Sequence, residues 1–375
     1  MREVGIQCTI GPSCSDPQIL AAMMDAGMVG ARINLSHGSA ASQEEKLASF
    51  RRAARMSGTE EASIMYDLRG PEIRVKEIPG GATFAGTGET LVLRCEGEEE
   101  RDADGNSLAE GSEILPPEHD PYGNEFGSYV NQIIRIGYEK LCREVKVGTQ
   151  ILIDDGRISL TVESVRGQDI VCYVDRGGRI ASRKGVNVPD VKLQMDYLRE
   201  SDVADILWCI EQGVDYIAGS FIRRAEDVRA IRAILEENGG SQIGVIAKIE
   251  SKEAISNFDE ILKEADQILI ARGDMGVEIG FEKVPAMQKR IIRKCREMGK
   301  AVIIATQLIE SMTESLTPTR AEVSDIANAV FDGATDLLVT GETATGRYPV
   351  QVVQQMARII DQAILDAQKY GDEIL

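Results

Sequence analysis

The chain has 375 residues, of which 43% are hydrophobic and 27% are charged. These proportions are typical of a globular protein and exclude a largely disordered or collagen-like chain, and the length predicts one large domain with a smaller one. Lysine and arginine total 42 against 61 acidic residues, a formal net charge of −19. A surface this negative argues against nucleic acid and anionic membranes as partners.

Neither the cysteines nor the N-terminus indicate a secreted protein. The seven cysteines are scattered and form no Cys-x-x-Cys pair, so we expect buried thiols and neither a disulfide framework nor a structural zinc site. No apolar run reaches the ~18 residues that span a bilayer, and the first residues lack the apolar core of a signal peptide. We therefore expect a cytoplasmic protein.

The N-terminal segment is predicted to form three β/α units. Short β-branched runs predict strands at Val4–Thr9, Val29–Asn34 and Ser63–Asp67. Stretches of helical period predict helices at Pro17–Ala26 and Gln43–Met56.

Between about Val75 and Arg183 this alternation stops. The period-two pattern from Ile158 to Val162, followed by a turn and the run Ile170–Val174, predicts an antiparallel hairpin. Glu89–Leu93 and Thr149–Ile153 are predicted as neighbouring strands. We expect residues 75–183 to form a small all-β domain inserted after the third barrel strand, which divides the barrel into residues 1–74 and 184–375.

The C-terminal half returns to alternating strands and helices. Its predicted strands are Tyr216–Gly219, Gly244–Ile249, Gln267–Ala271, Ala301–Thr306 and Asp336–Thr340. Its predicted helices are Glu226–Glu237, Glu253–Lys263, Val284–Met298, Ala321–Phe331 and Val350–Lys369. Three units plus five give eight, which predicts an α/β fold of the closed (β/α)8 barrel type.

Polar residues concentrate where the predicted barrel strands end, which is where such barrels build their active sites. A period of two places Arg32, Asn34 and Ser36 on one face at the end of strand two. The same rule pairs Lys248 with Glu250. It also pairs Arg272 with Asp274 on strand six, and strands three, seven and eight end in Asp67, Thr306 and Thr340.

Two of these carboxylates suit a divalent cation. Adjacent parallel strands lie about 4.8 Å apart, so Glu250 and Asp274 can share one magnesium or manganese ion. The alternative is a structural cluster in which Lys248 and Arg272 neutralise both carboxylates.

The segment Arg272–Glu278 predicts a short helix whose free N–H groups face the same site. With Lys248, Arg32 and Arg74 it would form a cationic pocket for a small phosphorylated or carboxylated substrate. The chain has two histidines, which excludes multi-histidine metal sites, and it has no Walker phosphate loop.

Ten segments in this order resemble the pyruvate kinase family. They are Cys8–Pro12, Ala31–Gly38, Gly70–Arg74, Ile153–Gly156, Lys184–Asn187, Ala247–Glu250, Ala271–Glu278, Ala305–Gln307, Pro318–Asp325 and Gly341–Ala344. The resemblance implies a barrel domain with a β-rich lid, and transfer of a phosphoryl group from phosphoenolpyruvate to ADP to give pyruvate and ATP.

The resemblance also implies roles for the residues at the strand ends. Glu250 and Asp274 would hold magnesium, and Lys248 would stabilise charge on the phosphoryl group and on the enolate. Arg32 would contact the phosphate, while the backbone of Gly273 and Asp274, with Thr306, would receive the substrate carboxylate. Because Lys248 lies beside acidic groups we expect it to stay protonated, and we hypothesise that Thr306 with ordered water protonates the enolate.

The family's potassium site carries over onto Asn34, Ser36, Asp67 and the carbonyl of Leu68, and Glu72 is the residue type that accompanies potassium dependence. Its ADP contacts carry over onto Asn34, His37, Arg74 and Lys184. The family's Asp-Thr-Lys is here Asp67-Leu68-Arg69, a change that keeps the carbonyl at residue 68.

The chain ends at Leu375, where the family continues into a C-terminal regulatory domain. We therefore expect that domain to be absent, no activation by fructose 1,6-bisphosphate, and any homo-oligomer to form through the barrel. Two alternatives remain open at this point. One is another magnesium-dependent barrel enzyme acting on phosphoenolpyruvate or pyruvate, and the other is a catalytically inactive relative that binds or regulates.

Overall fold

The computed structural model describes residues 4–36, 38–97 and 130–371. Its strands, in chain order, are β1 (Gly5–Thr9), β2 (Met28–Asn34), β3 (Ser63–Asp67), β4 (Ile73–Arg74), β5 (Ala82–Ala85), β6 (Thr90–Cys95), β7 (Val130–Ile136), β8 (Gln150–Ile153), β9 (Ile158–Arg166), β10 (Asp169–Arg176), β11 (Gly178–Ala181), β12 (Gly185–Asn187), β13 (Tyr216–Gly219), β14 (Gly244–Ile249), β15 (Gln267–Ala271), β16 (Ala301–Ala305) and β17 (Asp336–Val339).

The helices surround and connect these strands. They are α1 (Pro17–Asp25), α2 (Ala40–Ser57), α3 (Leu141–Glu144), α4 (Glu200–Gln212), α5 (Ala225–Glu237), α6 (Lys252–Ser256), α7 (Phe258–Glu264), α8 (Arg272–Ile279), α9 (Val284–Glu297), α10 (Arg320–Asp332), α11 (Gly341–Ala344) and α12 (Pro349–Tyr370). Within the described ranges, no helix combines the length and apolarity needed to cross a membrane.

Eight parallel strands close the predicted barrel, in the order β1-β17-β16-β15-β14-β13-β3-β2. Their centres are runs of buried aliphatic residues, as in Val302–Ile304 of β16, because each strand is covered on both faces. A period of two sends alternate side chains into the barrel, where an inner cluster includes Met65, Ile246, Leu269 and Ile303. The strands thus confirm the (β/α)8 prediction.

Local capping signals set several helix ends. The side chains of Asp16 and Ser39 accept hydrogen bonds from the first turns of α1 and α2, and Thr319 with Glu322 forms a capping box on α10. The helix α10 ends at Gly333 in the left-handed conformation, at a φ of 96°, which glycine adopts without a Cβ clash.

One predicted helix differs from the structure, and one observed helix has no counterpart among the predictions. The stretch predicted as one helix over Glu253–Lys263 is two short helices, α6 and α7, which meet at Asn257. The helix α4 is not among the predictions, although its apolar residues Val203, Ile206 and Ile210 follow helical spacing.

The described contacts divide the chain into two compact units. The first comprises Met1–Gly70, Tyr197–Gly276 and Phe281–Leu375, and the second comprises Pro71–Asp196 with Val277–Gly280. In the second unit, a sheet of order β4-β12-β8-β9-β10-β6-β7 contains the predicted antiparallel hairpin, β9 with β10. The pair β5 and β11 forms a second small sheet, and the helix α3 makes this unit mostly rather than entirely β.

Candidate active site

A buried network of charges lies where three adjacent barrel strands end. Lys248, on β14, donates a hydrogen bond of 2.7 Å to the hydroxyl of Ser220, which directly follows β13. Its Nζ lies 3.2 Å from Asp67 Oδ1, at the end of β3, and 3.1 Å from Glu250 Oε1. Ser220 in turn donates a hydrogen bond of 2.9 Å to Asp67 Oδ1.

Arg32 completes the network from β2. Its Nε donates a hydrogen bond of 2.8 Å to Asp67 Oδ2, and its Nη2 contacts the same oxygen. Asp67 is 2% exposed, so its charge must be compensated within the barrel. Two cations therefore flank one buried carboxylate.

Burial and charge act in opposite directions on these groups. Burial would lower the pKa of Lys248, but the charges of Asp67 and Glu250 raise it above its usual value. Burial would likewise raise the pKa of Asp67, but the charges of Lys248 and Arg32 hold it below its usual range. Lys248 is thus a protonated ammonium group, which suits it to stabilise negative charge and not to give up a proton.

Glu250 is the least compensated member of the network. Burial, opposed by the charge of Lys248 and reinforced by that of Asp274, raises its pKa to about 7. Its Oε2 accepts a 2.5 Å hydrogen bond from the backbone N–H of Phe221. Phe221 has a positive φ of 53°, a strained conformation that costs a non-glycine residue about 1–3 kcal/mol.

The other oxygen of Glu250 fits a metal ligand. Oε1 is buried and receives no hydrogen bond from the described residues, because the contact with Lys248 lacks hydrogen-bond alignment. A divalent cation would satisfy this oxygen and neutralise the repulsion between Glu250 and Asp274. Among the described residues, no group of three or more His, Cys, Asp or Glu side chains forms a metal site.

Thr306 lies against the start of α8. Its hydroxyl accepts a 2.8 Å hydrogen bond from the backbone N–H of Gly273. The period-two expectation for Arg272 and Asp274 is wrong, because β15 ends at Ala271 and Arg272 begins a helix. Arg272 instead forms an ion pair of 2.7 Å with Asp325.

The residues carried over to a potassium site are neighbours in the barrel. Asn34 lies directly opposite Asp67 in the pairing of β2 with β3, and Asn34 Oδ1 accepts a 2.8 Å hydrogen bond from the N–H of Ser36. The N–H of Leu68 donates to Ala218, so residue 68 is anchored to the adjacent strand. The oxygen donors fit a monovalent cation, which would share Asp67 with Lys248 and Arg32.

Two of the nucleotide-site candidates, Arg74 and Lys184, lie in the second unit. Arg74 faces Gly185 in the pairing of β4 with β12, and its Nη1 donates a 2.8 Å hydrogen bond to the carbonyl of Arg183. Lys184 forms an ion pair of 2.7 Å with Asp154. Arg74 thus lies on β4, and Lys184 lies directly before β12, the strand that pairs with β4. His37 lies outside the described residues.

Comparison with known proteins identifies the family. The family model described as "Pyruvate kinase, barrel domain" matches residues 1–112 and 123–353. The chain belongs to the pyruvate kinase family. Pyruvate kinases of Sporosarcina psychrophila and Geobacillus stearothermophilus are 41% and 44% identical to it, each over 96% of this chain and 56% of the relative. The pyruvate kinase of Clostridium perfringens is 39% identical over 97% of this chain and 70% of the relative.

The chain spans little more than half the length of the first two pyruvate kinases. The region compared includes the whole network around Lys248, since the match to the barrel model extends through residue 353.

Two groups in this pyruvate kinase barrel were not predicted from the sequence. Ser220 bridges Lys248 and Asp67, and the N–H of Phe221 bonds Glu250. Ser220 directly follows β13, so the rule that identified the other strand-end polar residues would have found it. The role of Phe221 depends on its backbone conformation, which its residue type does not indicate.

Proposed function

We propose that this chain catalyses magnesium- and potassium-dependent transfer of a phosphoryl group from phosphoenolpyruvate to ADP, giving pyruvate and ATP. The observation that carries the proposal is the buried ammonium of Lys248, held between Asp67 and Glu250. Phosphoryl transfer requires positioning and charge neutralisation more than a covalent nucleophile. A network of fixed cations and carboxylates meets that requirement.

The substrate would bind between the two cations and the start of α8. Arg32 and Lys248 would contact the phosphoryl group, and Lys248 would also stabilise the enolate that remains after transfer. The backbone N–H groups at Gly273 and Asp274, together with Thr306, would receive the carboxylate, since N–H groups in the first turn of a helix have no partner within the helix. The N–H of Gly273 donates to the Thr306 hydroxyl in this structure, so the carboxylate would share that donor.

Glu250 and Asp274 are the residues that would hold magnesium. When bound, the ion would supply electrophilic charge that neutralises the substrate oxygens. Manganese takes the same oxygen ligands and would substitute for it.

Protonation of the enolate is assigned to Thr306 with an ordered water. Because its oxygen accepts a hydrogen bond from Gly273, the hydroxyl proton points elsewhere, and among the described residues nothing accepts it. A hydroxyl in this state can donate to the enolate carbon or to a water beside it.

The cofactor and partner assignments follow from the same residues. Potassium would bind at Asn34, Ser36, Asp67 and the Leu68 carbonyl, and ADP would contact Asn34, His37, Arg74 and Lys184. A cytoplasmic location, no nucleic-acid or membrane partner, and self-association through the barrel complete the proposal.

A coupled assay for pyruvate formed from phosphoenolpyruvate and ADP, with magnesium and with or without potassium, tests the function. Pyruvate formation that requires both substrates supports it. Binding of phosphoenolpyruvate without turnover would instead indicate an inactive relative. Turnover of phosphoenolpyruvate that does not depend on ADP would indicate a different barrel enzyme.

A further inference from the structure

Arg272 has no role in the reaction as described above, yet its guanidinium occupies a well-defined place in the barrel. The side chain is 9% exposed. Its Nε and Nη2 donate hydrogen bonds of 3.1 and 2.6 Å to the carbonyl of Thr306, and Nη2 also donates one of 2.9 Å to the carbonyl of Gln307. Asp325, on α10, holds the remaining Nη1 at 2.7 Å.

The two carbonyls belong to a strained segment. Thr306 and Gln307 both have positive φ values, 71° and 53°. Consecutive left-handed residues other than glycine are unfavourable unless surrounding contacts hold them. The three hydrogen bonds from Arg272 are contacts of this kind, and a planar guanidinium can reach two carbonyls and a carboxylate at once.

The start of α8 contacts Thr306 a second time, through Gly273. Gly273, the next residue in the chain, donates its N–H to the hydroxyl oxygen of Thr306. Arg272 therefore fixes the backbone of Thr306 with its side chain, while the residue that follows it fixes the hydroxyl. Together these contacts fix the position of the Thr306 hydroxyl oxygen and direct its proton away from Gly273.

We propose that Arg272, oriented by Asp325, is a positioning residue that aims the Thr306 hydroxyl at the site of enolate protonation. This inference rests on the proposed function and deepens it. Arg272 does not touch the substrate and acts through Thr306. Its loss therefore impairs proton transfer at carbon more than it impairs binding of phosphoenolpyruvate.

The test separates proton transfer from binding. Exchange of the pyruvate methyl protons with deuterium oxide, followed by NMR, reports enolisation, and steady-state kinetics report the KM for phosphoenolpyruvate. We expect Arg272→Met to slow methyl-proton exchange by about 30-fold and to leave the KM for phosphoenolpyruvate within about 3-fold of the parent value. We expect Arg272→Lys to recover most of the exchange rate. An exchange rate in Arg272→Met within about 3-fold of the parent overturns the proposal.

A double-mutant cycle distinguishes positioning from general damage to the fold. If Arg272 acts through Thr306, Arg272→Met combined with Thr306→Ala exchanges no more slowly than Thr306→Ala alone. A double variant slower than Thr306→Ala by the full effect of Arg272→Met contradicts the proposal.

Arg232 provides a matched control, because its Nη2 also bonds a backbone carbonyl and a carboxylate, those of Glu264 and Asp266. We expect Arg232→Met to leave both the exchange rate and the KM unchanged. A loss of exchange in Arg232→Met equal to that in Arg272→Met contradicts the proposal.

A second measurement distinguishes failure of this inference from failure of the proposed function. If the parent protein makes no pyruvate from phosphoenolpyruvate and ADP, the function fails. Amide hydrogen exchange at residues 306–309 still reports whether Arg272 holds the backbone of Thr306 and Gln307. Faster amide exchange at these residues in Arg272→Met than in Arg232→Met supports the positioning of Thr306 by Arg272. Equal amide exchange in the two variants overturns it.

Discussion

The hydroxyl of Ser220 accepts a 2.7 Å hydrogen bond from the ammonium group of Lys248. It also donates to Asp67, so a buried neutral group connects the cation to its carboxylate. Because both partners are buried, we expect Ser220→Ala to lower kcat by about tenfold, the effect of losing one such hydrogen bond in the transition state. Ser57→Ala, on the outer helix α2, is the control and should leave kcat unchanged.

Lys248→Met tests the division of labour between Lys248 and Thr306. We expect phosphoryl transfer to fall by about a thousandfold, because the fixed charge on the phosphoryl group is lost. Enolisation of free pyruvate should fall much less than phosphoryl transfer, because Thr306 is unchanged although Lys248 no longer stabilises the enolate.

The variant also leaves Glu250 without its cation and Asp67 with Arg32 alone, so its folding needs its own check by circular dichroism. Lys248→Arg, which keeps the charge, is the companion variant. Loss of phosphoryl transfer and enolisation to the same extent in a folded Lys248→Met protein would contradict this division of labour between Lys248 and Thr306.

Replacing potassium with tetramethylammonium tests the monovalent site. We expect the rate to fall by at least about tenfold, because a cation held by oxygen donors beside Asp67 would be missing. Asn34→Ala should raise the potassium concentration needed for half-maximal activity. Asn238→Ala, at the end of α5, should not change it. Equal rates with and without potassium would contradict the proposed potassium site.

Lys184→Met tests the nucleotide assignment within the second unit. Loss of one cation that contacts a phosphate should raise the KM for ADP by about tenfold and leave the KM for phosphoenolpyruvate unchanged. Lys146→Met, an exposed lysine in the turn before β8, is the comparison. A parallel rise in both KM values would contradict a specific role for Lys184 in binding ADP.

Asp205 predicts a pH-dependent change in stability. Burial, opposed by Arg69 at 3.3 Å and reinforced by Asp202, raises its pKa to about 6. The folded protein thus holds this proton more tightly than the unfolded chain, whose aspartate pKa is about 3.9. The contribution of Asp205 to stability therefore falls as pH rises between these values and is constant above pH ~6.

Asp205→Asn removes the ionisable group, so the variant does not lose stability through this site as pH rises. We expect its advantage in the free energy of unfolding, measured with urea, to grow from pH 5 to 6 and then level off at about 1 kcal/mol, since solvent screens a partly exposed group. Glu237→Gln, at an exposed carboxylate, should show no such trend. An advantage for Asp205→Asn that shrinks as pH rises would contradict the assignment.

Local patterns were sufficient for the barrel. Strands such as Gly244–Ile249 are rich in β-branched residues because both faces are buried. Capping residues such as Ser39 and Thr319 stabilise helix starts through their nearest neighbours. Each of these signals lies within a few residues of its effect. The sequence therefore determined the order of the barrel strands along the chain and, to within one residue, where each of them ends.

Tertiary structure alone decided how those ends meet. The ion pair of Lys248 with Asp67 joins residues 181 positions apart. The contacts of Arg272 depend on the chain entering α8 at this residue, whereas the period-two prediction continued the strand to Asp274. The pKa of Glu250 depends on burial, on the charge of Lys248 two residues away, and on those of Asp274 in α8 and Asp67 at the end of β3. Such contacts are set by barrel register and closure, which no local pattern encodes, because each requires two distant segments to be held against each other.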